Sequence, residues 1–174
     1  MKTARVTVVP YDAGWQAAFA EIKKEIESAV GAWIIGVEHV GSTAVEGLSA
    51  KPCIDIDVVI ADDSVFPSVV KGLAAIGYEH EGDLGIRGRE AFRYSDKPHL
   101  RAHHLYVCPA DSEELRRHIV FRDYLRKDPE AVKQYSRVKE AAAAQYPNDI
   151  GQYMAAKAPC IAQLYARCGL ETTK

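Results

Sequence analysis

Apolar positions near the start of the chain recur every three or four residues: Trp15, Phe19, Ile22, Ile26 and Val30. That spacing predicts an amphipathic helix over 12–30, with Asp12 as its N-cap and Gly31 as its end. The period then changes. Residues 33–40 (WIIGVEHV) and 53–60 (CIDIDVVI) are short, apolar and rich in β-branched side chains, as strands inside a sheet are. The polar stretch between them, GSTAVEGLSAKP, predicts a turn that contains one helical turn. Ahead of the first helix, residues 5–9 (RVTVV) read as a short strand or extended arm closed by Pro10.

Asp62, Asp63 and Ser64 predict the cap of a helix to about Ala75, stopped by Gly77, with a strand opening at Tyr78. Residues 82–98 are rich in glycine and charge and read as a hairpin with Phe92 and Tyr94 on its second arm. Residues 101–108 (RAHHLYVC) predict another strand, with His104 and Tyr106 on one face and His103, Leu105 and Val107 on the other. The last third is helical. Asp111 or Ser112 caps a helix to about Lys127, and Asp128-Pro129 breaks it and opens a second helix to about Tyr146. Asn148 or Asp149 opens a third, to about Cys168, with a kink expected at Pro159. The element order predicts an α+β fold: a small mixed β-sheet packed with helices and a helical C-terminal third.

Composition narrows the function classes. At 174 residues, the chain is expected to form a single domain spanning 1–174 with a full core. Its 22 basic and 24 acidic residues give a net charge of −2, which argues against a dedicated nucleic-acid binder. Cys53, Cys108, Cys160 and Cys168 form no CxxC pair, so no structural zinc site is expected, and Cys53 and Cys108 read as small core residues. No apolar run approaches the ~20 residues of a membrane span, and no secretory leader is apparent. A cytoplasmic protein without membrane association is expected.

The chemistry concentrates in residues 39–60. Asp55 and Asp57 alternate on a strand that is otherwise apolar, so both carboxylates leave the same face. Like charges side by side call for a cation or a shared proton. Mg²⁺ suits that need, because it takes one or two carboxylates and fills its other positions with water and phosphate oxygens. Gly41, Ser42 and Thr43 precede the pair. Glycine permits close backbone approach to a phosphate, and the two hydroxyls add donors, although a simple turn and helix cap would use the same residues. Lys51 and Arg93 are candidate phosphate contacts, Arg87, Arg89 and Arg101 weaker ones. Arg122, Asp123, Arg126 and Lys139 read as an ion-pair network between two helices rather than as ligand contacts. His39 reads equally as a buried hydrogen-bonded residue and as a ligand-binding one. His80, His99 and His118 read as surface residues.

The block HVGSTAVEGLSAKPCIDIDVVI, the later HHLYV strand and FRDYLRKDPEAVKQYSRVK strongly resemble the GrpB family, over roughly Val9 to Leu164. That resemblance implies a nucleotidyltransferase-like fold, from the superfamily whose shared pattern is Gly-Ser before a strand bearing Asp-x-Asp. It implies that Gly41 and Ser42 contact a nucleoside triphosphate and that Asp55 and Asp57 bind Mg²⁺. The superfamily's third carboxylate, on a later strand, has no counterpart: RAHHLYVC offers His104 as the residue that would orient or deprotonate a hydroxyl or amine acceptor. The family often has a second histidine where Tyr106 stands. The resemblance also implies an alternative to transferase activity: a non-catalytic binding or folding-assistance module with a protein partner, as in GrpB-like domains fused to dephospho-CoA kinase.

Overall fold

The computed structural model describes residues 5–172. Five helices are present: α1 (Gly14–Val30), α2 (Phe66–Ala75), α3 (Glu113–Lys127), α4 (Pro129–Gln145) and α5 (Ile150–Arg167). Five strands, β1 (Gly36–Val40), β2 (Ile54–Ile60), β3 (Glu79–Gly82), β4 (Glu90–Arg93) and β5 (His103–Pro109), form one mixed sheet in the order β1-β2-β5-β4-β3. Only the central pair, β2 and β5, is parallel. The α+β architecture therefore matches the sequence pattern, and the three C-terminal helices form its last third.

Alternation along β2 and β5 separates two environments. Ile54, Ile56, Val58, Leu105 and Val107 are buried against α1 and α2 in the largest core, with Trp15, Ile22, Ile26 and Leu73. Asp55, Asp57, His104 and Tyr106 leave the opposite face, which α3 partly covers through Leu115 against Val59 and Cys108. A second core joins α3, α4 and α5 to the segment after β1 through Leu125, Val132 and Leu164 against Val45 and Leu48.

Local chemistry sets the boundaries. Asp12 Oδ1 accepts the Gly14 N–H at 2.8 Å, so α1 opens two residues after it. Ser112 Oγ accepts from Leu115 N at the start of α3 and donates to the Gly88 carbonyl at 2.7 Å, which ties that helix to the loop before β4. Asp128 ends α3 and caps α4, accepting from Ala131 N at 3.1 Å. Asp149 caps α5 through Gln152 N.

Several expectations need correction. Residues 5–9 form no strand beyond a single bridge from Val9 to Ala50. The helix end at Gly31 is a 3₁₀ turn over Gly31–Trp33 with φ −51°, so this glycine takes no left-handed conformation. The first strand begins at Gly36, because Trp33 and Ile35 are exposed and cannot lie inside the sheet. As expected, Pro159 sits within α5, which runs to Arg167. Phe19 is only partly buried, beside the core stripe of α1, because its ring stacks on His39 at 4.6 Å.

Ile56 is fully buried between β1 and β5 and beneath α1. Ile56→Ala is expected to lower stability by about 2–5 kcal/mol, seen as a lower urea midpoint at unchanged denaturant slope.

Candidate functional site

The Gly-Ser turn and the acid strand meet because β1 and β2 are antiparallel neighbours, with Val40 opposite Asp55. Gly41 has φ +74°, and a Cβ there would overlap the Asp55 carboxylate. Both facts require glycine. Ser42–Ala44 then form a single 3₁₀ turn. Thr43 is buried, and its hydroxyl is 2.9 Å from His39 Nε2. Burial and the nearby Arg126 and Arg122 cations push His39 down to about 4, so it is neutral and structural.

Asp55 and Asp57 do share a face, but each has an internal partner. Asp55 is about one-third exposed, and its Oδ1 lies 3.0 Å from His104 Nδ1 on β5, directly opposite in the register. Asp57 is fully buried, and its Oδ2 accepts from His118 Nδ1 on α3 at 2.5 Å. Burial raises the Asp57 carboxyl, with His118 opposing that shift. Burial pulls His118 down, but the Asp57 bond together with the charges of Asp57, Glu114 and Asp55 raises it on balance. His104 is raised chiefly by Asp55, with Cys53 contributing. His104, raised to about 10, is therefore cationic at neutral pH, and each carboxylate has an imidazole as its partner.

Beside Asp55 lies a cavity of about 250 Å³, lined by Ser42, Thr43, Lys51, His104, Lys139 and Lys157 among others. Lys139 is 3% exposed; its Nζ donates to Ser42 Oγ and, at 3.1 Å, to the Ser49 carbonyl. Burial, reinforced by Lys157, pulls Lys139 down to about 7. Lys157 falls to about 8 through burial and the nearby Lys51. The Lys157 ammonium lies 4.4 Å from the centre of the Tyr153 ring and that of Lys51 5.7 Å from it, so this ring is faced by two cations. Three lysines crowded on one hollow repel one another, and an entering polyanion would relieve that repulsion.

Among the described residues, no group of three or more His, Cys, Asp or Glu side chains is placed to hold a metal ion. Two carboxylates nevertheless suit Mg²⁺ that brings phosphate oxygens with it. The observation that fits is Asp57 Oδ1, which is buried on the Asp55 face without a hydrogen-bond partner. A buried carboxylate oxygen left bare is costly unless something meets it.

Gly41, Ser42, Thr43, Lys51, Asp55, Asp57 and His104 are thus gathered in one region, and Arg93 is not. Arg93 is 61% exposed and forked onto Glu79 across the β3–β4 hairpin, at 2.6 and 3.0 Å, and is not part of the cavity lining. It shares the face of His104 by register, but its side chain turns to the sheet edge. Arg101 pairs with Asp12. The expected ion-pair network between two helices does not form: Arg122 binds Glu38 and the His39 carbonyl, Arg126 binds the Ala44 carbonyl, and Lys139 reaches Ser42, so these side chains tie the helices to β1 and the turn after it. Lys139, Lys157 and His118 were missed. His118 is not a surface residue, because α3 lies over β2. Cys53 lines the cavity rather than the core. No short motif marks Lys139, Lys157 and His118, since helix packing alone brings them in, whereas Cys53 reaches the cavity from just before β2. The one available signal for Lys139 was its place among buried Tyr135, Ser136 and Ala142 on α4.

The acid-bearing strand, flanked by an antiparallel and a parallel neighbour and preceded by a Gly-Ser turn, defines a nucleotidyltransferase-like fold. The Cid1 poly(U) polymerase, in a mutant bound to MgATP, shares it with a TM-score of 0.51 at 12% identity, over 75% of this chain and 45% of that one. The family model described as GrpB protein matches residues 5–167, and the chain belongs to the GrpB family. The crystal structure of GrpB from Enterococcus faecalis superposes with a TM-score of 0.81 at 31% identity, covering 93% of this chain and 96% of that one. The UPF0157 protein YqkA of Bacillus subtilis is 33% identical over 88% of this chain, which spans only 44% of that relative's length. A dephospho-CoA kinase of Mycolicibacterium paratuberculosis is 28% identical over 94% of this chain and 46% of its own.

Gly41→Ala is expected to cost about 1–3 kcal/mol in thermal or urea unfolding, from left-handed backbone strain together with the Asp55 clash. The depressed lysines have a pH signature. Between about 7 and the usual 10.5, the unfolded chain keeps protons that folded Lys139 has lost, so its contribution to stability rises with pH across that window. Lys139→Met is expected to melt higher than the parent at pH 6 and to gain less between pH 7 and 9, read by scanning calorimetry.

Proposed function

We propose that this GrpB-family chain binds a nucleoside triphosphate at the Gly-Ser turn and acts as a metal-dependent nucleotidyltransferase towards a hydroxyl or amine acceptor. The observation that carries this reading is the joining of two opposite features at Asp55: a same-face carboxylate pair and a hollow faced by Lys51, Lys139 and Lys157. The triphosphate lies in that hollow. Ser42 and the lysines hold its charge, and Gly41 lets the backbone approach. In transfer, the acceptor atom bonds to the α-phosphorus and gives up its proton to water, the α–β bridging bond breaks, and Lys139 and Lys157 hold the departing pyrophosphate. Asp55 and Asp57 would hold Mg²⁺, which supplies charge neutralisation at the reacting phosphate. His104, already cationic through Asp55, is suited to orient an acceptor or a phosphate oxygen. In that state it has no free ring lone pair with which to take a proton.

A second reading rests on a separate observation. β5 places His104 and Tyr106, rather than an acid, opposite Asp55 and Asp57, and each carboxylate already has an imidazole partner, His104 for Asp55 and His118 for Asp57. A binding or folding-assistance module would need nothing more, and the relation to about half of a dephospho-CoA kinase fits a protein partner.

Isothermal calorimetry with each nucleoside triphosphate, with and without Mg²⁺, separates the two. The transferase reading expects metal-enhanced binding, weakened at least tenfold in Asp55→Asn/Asp57→Asn. Heats absent for every nucleotide in both conditions leave the module reading standing alone.

A further inference from the structure

The lysine cavity is not the only hollow at Asp55. A second, of about 190 Å³, also has Ser42 and Asp55 in its lining and opens towards the C-terminal helices. Its character is different. Phe121 from α3, Tyr135 from α4 and Tyr165 from α5 contribute aromatic rings, Leu125 adds an aliphatic surface, and no lysine lines it. Phe121 meets Tyr165 edge to face at 4.8 Å and lies 6.1 Å from Tyr135. Arg117 also lines it. The Arg117 Nε is buried and makes no hydrogen bond; Glu114 lies 3.3 Å away, but out of line with the N–H.

Two hollows share Ser42 and Asp55, one faced by lysines and the other by aromatic rings, with His118 and Arg122 in the second wall already held by Asp57 and Glu38, and that difference divides a ligand by chemistry. Phosphates are drawn to the lysines. Whatever is joined to the innermost phosphate passes Asp55 into the aromatic side. We propose that this second cavity is the nucleoside subsite, taking the planar base of a nucleotide whose phosphates occupy the lysine cavity. This rests on the triphosphate reading above. The rings of Phe121 and Tyr165 offer apolar and π surface to a base. Such stacking tolerates any base, because every base has a π face.

The test compares ATP with inorganic tripolyphosphate by calorimetry on the full chain at one Mg²⁺ concentration, since only ATP carries a base. The parent is expected to bind ATP on the order of tenfold more tightly than tripolyphosphate, the scale of one stacked base. Phe121→Ala and Tyr165→Ala, both only partly buried, are expected to bring ATP down towards tripolyphosphate while leaving tripolyphosphate affinity unchanged. Unchanged tripolyphosphate binding also reports an intact fold. Equal affinity of the parent for the two ligands overturns the proposal without any variant and leaves the triphosphate reading in place. So does ATP affinity that survives both substitutions, which gives the cavity to something other than a base. Failure of tripolyphosphate to bind the parent at all overturns the triphosphate reading, and this proposal with it.

Discussion

The buried ammonium of Lys139 is the contact on which the arrangement of this molecule turns. It leaves α4, passes beneath the Gly-Ser turn and bonds to Ser42 and to the Ser49 carbonyl. Those bonds fix the helical third of the chain onto the strand-turn-strand that carries the acids. An ammonium taken out of water is expensive, and two neutral oxygens repay only part of that cost. The deficit appears as a lysine whose proton is held loosely. A site that is short of negative charge in the free protein is ready for a polyanion, so the same side chain that fastens the fold also sets what the hollow attracts.

The carboxylates show the complementary solution. Two acids on one face of a central strand could not stand bare. β5 supplies His104 to Asp55, and α3 supplies His118 to Asp57. This pairing lets β2 sit inside the sheet with each acid met by a side chain of a neighbouring element. It still leaves one carboxylate oxygen without a partner, where an incoming cation could be met. A divalent ion alone would face the His104 imidazolium and three lysines nearby. Accompanied by phosphates it would not, so charge favours joint arrival of metal and nucleotide.

The helices beyond α2 do more than cover the sheet. Arg122 and Arg126 bind main-chain carbonyls at His39 and Ala44. Arginine suits this task, because a planar fork can satisfy one carbonyl with two donors, as Arg126 does. The turn that carries Gly41 and Ser42 is therefore held from both sides: by Asp55 pressed against Gly41 and by helix side chains gripping its carbonyls. Rigid placement of that kind is what a phosphate-binding backbone needs.

Sequence alone determined the element types, the α+β class and the shared face of Asp55 and Asp57. Hydrophobic period and capping residues are local properties, and strand alternation follows from backbone geometry. It also marked Gly41 as a candidate through its place before the acid strand, although a simple turn and cap would use the same residues. Tertiary structure alone decided which cations reach those acids. Lys139 and Lys157 are separated from Ser42 by about a hundred residues of chain, and nothing in their surroundings distinguishes them from solvated lysines until α4 and α5 dock. His118 became the partner of a buried acid for the same reason. Arg93 went the other way, turned outward by Glu79 across a hairpin whose register no local pattern specifies. Periodicity reports which face of an element is buried; only packing reports what that face meets.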